Sequence, residues 1–291
     1  MTFIRFDPVK LNIDDLLEGD VRLASPPEIY ARLHHLLESP DSSTALLAEV
    51  IEHDPALSAR ILKLVNSTLY APPRQVESIS EAVDHAGVRG LHDLVLATEV
   101  IQHFDRIPAE LEDIYSFWRQ SMRCAVLASK LAEQRREGLP GSNDSMFLAG
   151  LLHRIGLLVM YARIPELARK ALLEHRHRGL SLHLVQQELI GFDYAMVGGA
   201  LARRWKLPEM LCTVLANHLH PEQAEAYSSE TALIHLSQVT CQADSFDRQV
   251  IEPLLPQDGT LWERAGVTPQ ALLATLPEAQ SAYGAALALL H

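Results

Sequence analysis

Only three cysteines occur in 291 residues, Cys124, Cys212 and Cys241, and they form no C-x-x-C pair, so neither a zinc knuckle nor a disulfide framework is expected. They read as small buried hydrophobes. Positive charge is also scarce: 25 Lys plus Arg face 37 Asp plus Glu, a formal net charge of −12. Such an acidic chain repels phosphate backbones, so no nucleic-acid partner is expected. No run of Val, Ile and Thr alternates with polar residues between turn signals, which argues against a sheet. Ser67 and Ser121 lack a G-x-S-x-G elbow, and no glycine-rich phosphate loop, internal repeat or low-complexity tract is found. The start, Met1 to Pro8, lacks a basic segment followed by an apolar run; no cleaved signal is expected, and a cytoplasmic, reducing compartment fits.

What is present is apolar residue in quantity, 48% against 21% charged, enough for at least one full core. Helical punctuation recurs from end to end and predicts an all-α helical bundle. Pro26-Pro27 precedes Ile29, Leu33, Leu36 and Leu37 on one face; Asp41-Ser42-Ser43 offers N-caps for the next helix. Asp54-Pro55 is a cap followed by proline at the first helical position. Ser78-Ile-Ser-Glu81 reads as a capping box, with Gly87 as the stop of a short helix and a second segment running from Val88 to Phe104. Asp144, Pro165, Ser181, Asp193 and Pro208 start further helices, Gly179 and Gly191 end two of them, and Pro277 is expected to divide the last stretch in two. Asn66 is expected to cap its helix in a left-handed conformation, and Arg60 to tie helices together.

Met146 to Ile164 is apolar enough to suggest a membrane span, but His153-Arg154 sits at its centre. A central Arg costs roughly 2.5–3.5 kcal/mol even on a lenient insertion scale, so a buried core helix is expected and membrane insertion is not.

That helix, with its central His153-Arg154, resembles the HD superfamily of metal-dependent phosphohydrolases, whose motif carries an adjacent His-Asp metal-binding pair. The N-terminal half narrows the likeness. Asp54-Pro-Ala-Leu-Ser-Ala-Arg60, Asn66-Ser67 and Ser78-Ile-Ser-Glu-Ala-Val resemble the HDOD domain of bacterial signalling proteins, and Phe117-Trp118, Gly191-Phe-Asp193-Tyr194 and Trp205-Lys-Leu-Pro208 continue it in order. The resemblance spans about residues 20 to 245 and implies an N-terminal tail and helical subdomain over 1–107, a degenerate HD-like helical subdomain over 108–245, and a C-terminal helical extension over 246–291.

Carried over residue by residue, the family's metal ligands fall at Gln120, His153-Arg154, Tyr194, His218 and Gln238. Two imidazoles remain, and the bridging carboxylate position holds a guanidinium with no lone pair. A catalytic metal usually needs three protein ligands and an open position. The expectation is therefore no metal, no cofactor and no catalytic residue. These positions could form a cleft for a small anionic ligand, Arg154 supplying a fork and the imidazoles supplying donors; alternatively Arg154 pairs with a buried carboxylate such as Asp193. The resemblance implies a non-catalytic signal-transduction module that binds a protein partner. The alternatives are a nucleotide or phosphorylated-messenger sensor and a metal-dependent phosphohydrolase with a divergent ligand set. His175-Arg-His-Arg178 reads as a solvated basic helix end, and Arg135-Arg136 and Arg203-Arg204 as surface pairs.

Overall fold

The computed structural model describes residues 11–18, 26–38, 43–104, 110–135 and 145–290; among these the regular structure is helical throughout, with no strand. The expected caps at Asp41-Ser42 and Asp144, and Arg136 of the expected surface pair, lie outside the described residues.

Among the described residues the first helices are α1 (Ile13–Leu17), α2 (Glu28–Glu38), α3 (Thr44–Glu52), α4 (Pro55–Val65) and α5 (Ile79–His103). Their starts follow the sequence signals. Ser43 Oγ accepts from Leu46 N, and Asp54 accepts from the amides of Ala56 and Leu57, both at 2.9 Å. Ser78 accepts from Glu81 N, but the Glu81 carboxylate bonds Glu77 N rather than Ser78 N, so the capping box closes one residue early. Gly87 takes φ 77° and ψ 161°, which kinks α5 without ending it: the helix resumes at once and runs to Phe104. A positive φ is steric strain for other residues, and glycine carries it freely.

Asn66 departs from its expectation. It sits at φ −79°, ψ 0°, and its side chain acts across the chain instead of capping in a left-handed turn. Its amide donates to Leu62 O and Val76 O and accepts from Val76 N, at 2.8–2.9 Å, pinning the loop between α4 and α5. Arg60 does tie helices, reaching Glu99 of α5 at 3.8 Å.

The long helix α6 (Ile114–Ala132) begins where Asp113 accepts from Ser116 N at 2.8 Å, and its central residues Ser121 to Ala128 are buried on every side. The apolar segment expected as one helix is two, α7 (Met146–Leu152) and α8 (Ile155–Arg163). The cause is local. His153 Nδ1 donates to Gly150 O at 2.7 Å, taking the carbonyl that Arg154 N would use in a continuous helix, and Arg154 leaves helical geometry at ψ 7°. The stretch Met146–Arg163 is 83% buried inside the protein.

The rest of the chain adds α9 (Pro165–Arg178), α10 (Leu182–Ile190), α11 (Tyr194–Arg204), α12 (Glu209–Asn217), α13 (Ser228–Thr240), α14 (Arg248–Ile251), α15 (Gly259–Ala265) and α16 (Pro269–Ala286). Gly179 and Gly191 end α9 and α10 at φ 66° and 97°. Pro277 does not divide α16. Leu272 and Leu276 before it and Ala279 and Tyr283 after it are buried as α16 packs along α6, and that shared face outweighs the roughly 3 kcal/mol a mid-helix proline costs.

One cluster of buried apolar side chains runs from Leu16 to Ala286. Helix α6 is its axis, in contact with α7, α13 and α16, while α8, α11 and α12 form a packed layer beside it. Glycines set the closest approaches. A Cβ on Gly156 of α8 would stand 1.9 Å from Tyr194 O of α11, and one on Gly150 of α7 would stand 2.6 Å from Ala125 Cα of α6. All three cysteines are buried and free, as expected. Arg135 is no surface residue: its side chain is 5% exposed and faces the buried Glu230 at 3.5 Å.

Candidate ligand cavity

Beside the α7–α8 break lies a cavity of about 520 Å³ that collects five of the six residues singled out at the vestigial positions: Gln120 from α6, His153 and Arg154 from the break, Tyr194 from the first turn of α11 and Gln238 from α13. His218, at the end of α12, stands directly behind this lining, its ring 5.4 Å from that of His153 and 5.7 Å from that of Tyr194. Residues far apart in the chain are thus brought together as the motif order implied.

The positioning is local in origin. Asp193 accepts from the amides of Ala195 and Met196 at 2.9 and 3.0 Å, which starts α11 at Tyr194. Gly156 then lets α8 come up against Tyr194, holding the break residues and Tyr194 in one place.

Arg154 does not pair with Asp193. It reaches Glu112 instead, Nη2 to Oε1 at 3.1 Å, donates from Nη1 to Gln120 Oε1, and lies over the Phe117 ring at 4.8 Å. Asp193 is engaged as the α11 cap and accepts from Gln187 Nε2 at 2.6 Å. Sequence spacing gave no signal for Glu112, which lies just before α6 and also accepts from Tyr161 at 3.1 Å.

The imidazoles carry a second correction. His153 Nδ1 meets Gly150 O at 2.7 Å and His218 Nδ1 meets Leu215 O at 3.0 Å. A carbonyl only accepts, so Nδ1 bears the hydrogen in both rings and Nε2 is left as a lone-pair nitrogen. Burial, reinforced by His218 and Arg154, pushes the His153 pKa far down, and burial takes His218 down to about 3. Both rings are neutral acceptors at pH 7 and do not supply the donors expected of them. His218 Nε2 and Gln238 Oε1 are buried without a hydrogen-bond partner, while Gln238 Nε2 donates to the Tyr194 hydroxyl at 3.1 Å.

Other lining residues were not among the expected site positions. His235 of α13 donates from Nδ1 to His218 O at 2.7 Å, and His183 of α10 has its ring 5.5 Å from that of His220; burial lowers the pKa of both. His175, read as part of a solvated helix end, lines the cavity and bonds Leu180 O, whereas Arg176, His177 and Arg178 are exposed as expected. Cys124 and Cys241 also line it, with burial raising the thiol pKa of Cys241 to about 12. They are unreactive thiols in this setting.

The donor set does not fit a catalytic dication. His153 and His218 have the backbone-tethered geometry of metal-binding imidazoles, but the adjacent position is a guanidinium. Among the described residues no group of three or more His, Cys, Asp or Glu could hold a metal ion. No step through a metal is derived.

The HDOD domain family model matches residues 23–221. A protein of Treponema pallidum (strain Nichols) named only as uncharacterized is 28% identical over 218 residues, covering 74% of this chain; the chain spans 41% of that relative's length. A crystal structure from Shewanella amazonensis SB2B, named provisionally as a phosphohydrolase, aligns with a TM-score of 0.75 at 25% identity, over 94% of this chain and 99% of that one. Another, from Marinobacter aquaeolei VT8 and named provisionally as a signal transduction protein, aligns with a TM-score of 0.71 at 20% identity, over 97% of this chain and 62% of that one.

Proposed function

The chain belongs to the HDOD domain family, and from that premise we propose that it is a non-catalytic signal-transduction module of the cytoplasm that acts by binding a protein partner, its cavity taking a small anionic ligand that gates the contact. The observation that carries this reading is Arg154 at the cavity wall: a cation fills the place beside His153, held by Glu112 from outside the lining, so the site is shaped to hold a molecule rather than to activate water. Phosphorylated messengers are the nearest ligands to consider, because the lining contains Arg154 and no carboxylate.

The tethered imidazoles favour a second reading, a metal-dependent phosphohydrolase with a divergent ligand set. One experiment separates the two. Purified protein is incubated with manganese, iron(II) or zinc and assayed on p-nitrophenyl phosphate and bis-p-nitrophenyl phosphate. The signalling reading expects no turnover above buffer; turnover that is lost in His153→Ala would replace it with the hydrolase. Its partner half is tested by reconstituting a captured protein with the purified chain and measuring a saturable complex of fixed stoichiometry.

A further inference from the structure

The cavity's hydrogen-bonding inventory is lopsided, and the lopsidedness names a ligand. Two lining rings whose pKa is lowered by burial have Nδ1 committed to a backbone carbonyl: His153 to Gly150 and His235 to His218. Each can therefore offer a ligand only the Nε2 lone pair. Gln238 adds a third acceptor. Its Nε2 is spent on Tyr194, and its Oε1 is buried with no partner. Unmatched buried acceptors are rare in folded proteins and signal a missing donor.

The opposite polarity is concentrated elsewhere in the same lining. Arg154 has five N–H groups, and its bonds to Glu112 and Gln120 engage at most three. Glu112 is not part of the cavity wall, and neither Asp nor Glu lines it, so the guanidinium meets no competing carboxylate from inside. Tyr194, having accepted from Gln238, keeps its own hydroxyl hydrogen to donate. Between these polar groups the wall is apolar, with Leu157, Leu182, Leu219 and Val239. An apolar wall interrupted by a few polar groups is the usual make-up of a small-molecule site.

We propose that the cavity binds an anionic heteroaromatic compound, a planar ring whose N–H donors are read by the imidazole Nε2 atoms and Gln238 Oε1 and whose carboxylate or phosphate sits on Arg154. This rests on the small-ligand half of the reading above and specifies it. A bare anion would meet lone pairs at both of these rings. An amine or metal cation would be repelled by Arg154. A purely apolar molecule would leave Gln238 Oε1 unmatched. The volume, about 520 Å³, falls within the roughly 300–1,000 Å³ of small-molecule sites.

The test is isothermal titration of the purified full chain with two ring-bearing anions, orotate and adenosine 5′-monophosphate, against benzoate (an anion without N–H donors), adenosine (donors without an anion) and inorganic phosphate. At least one of orotate and adenosine 5′-monophosphate is expected to bind about tenfold more tightly than all three controls, the loss of one good interaction; which one it is distinguishes carboxylate from phosphate ligands. Gln238→Met, nearly isosteric and without the acceptor, is expected to weaken that ligand about tenfold while leaving the unliganded melting temperature within a few degrees. Arg154→Met is expected to abolish the advantage over adenosine. Controls that bind as tightly as the ring-bearing anions, absence of binding by either of them, or an unaltered affinity in folded Gln238→Met would each overturn the proposal. Hydrolysis of adenosine 5′-monophosphate during titration would sink the non-catalytic reading and leave the site standing, and failure to find a protein partner would not touch these titrations.

Discussion

Arg154 and Glu112 form a pair that is neither sealed nor free in solvent: their side chains are 14% and 21% exposed, with Nη2 3.1 Å from Oε1 and the Tyr161 hydroxyl completing the carboxylate's shell. Removing one member strands the other in partly desolvated surroundings. Glu112→Ala is expected to destabilise the protein by about 1–3 kcal/mol, less than the 3–5 kcal/mol of a fully buried pair. The double substitution Glu112→Leu with Arg154→Met is expected to cost less than the sum of the singles, as read from urea unfolding midpoints. Additive costs would mean that the two groups do not interact.

Gly156 and Gly284 make a matched contrast. At Gly156 an added methyl group would strike Tyr194 O of α11 at 1.9 Å, and neither backbone can yield without moving a helix. Gly156→Ala is expected to cost more than about 3 kcal/mol or to prevent folding. At Gly284, on the exposed side of α16, nothing lies within 4 Å, and Gly284→Ala is expected to add about 0.5–1 kcal/mol through helix propensity. Thermal melts of the two variants should move in opposite directions.

His218 gives stability a pH dependence of known sign. Its folded pKa, about 3, lies below the ordinary histidine value of 6.5, so between these values the unfolded chain binds a proton that the folded protein refuses. Its contribution is full above pH 6.5 and is lost as pH falls through that window, at about 1.4 kcal/mol per pH unit. Denaturant midpoints measured from pH 7 to 4.5 should show His218→Gln, which does not titrate, falling less steeply than the wild type. Parallel profiles would show that the ring is protonated in the folded protein.

Asn66 holds three hydrogen bonds from one side chain, to Leu62 and to both backbone groups of Val76. Asn66→Ala is expected to lose about 2–3 kcal/mol, near 1 kcal/mol for each bond. Amide exchange at Val76 should accelerate in the same variant; unchanged protection there would show that the loop is held by other contacts.

Much of the fold was legible because its signals are local. Ser43, Asp54 and Asp193 cap the helices their positions indicate, and glycines at 179 and 191 end theirs, since a cap is decided within four residues of itself. What the sequence concealed depends on neighbours far along the chain. Pro277 reads as a break until α6 is known to lie beneath both halves of its helix. The grouping of Gln120, His153, Arg154, Tyr194 and Gln238 followed from motif order, but the partner of Arg154 came from a residue 42 positions earlier, for which no spacing rule exists. Nor could ring protonation be read in advance. His153 becomes an acceptor because its Nδ1 is spent on the Gly150 carbonyl, a contact visible only once the break between α7 and α8 is known.

The contact of Gly156 with Tyr194 also decides which part of the cavity can give way. On that side two backbones touch with no side chain between them, so there is no rotamer to relax and no methyl to displace. The turn from His175 to His183 also contributes to the lining, and its Leu180 is exposed. Whatever enters the cavity therefore meets, on the Gly156 side, a wall with no side chain free to rearrange.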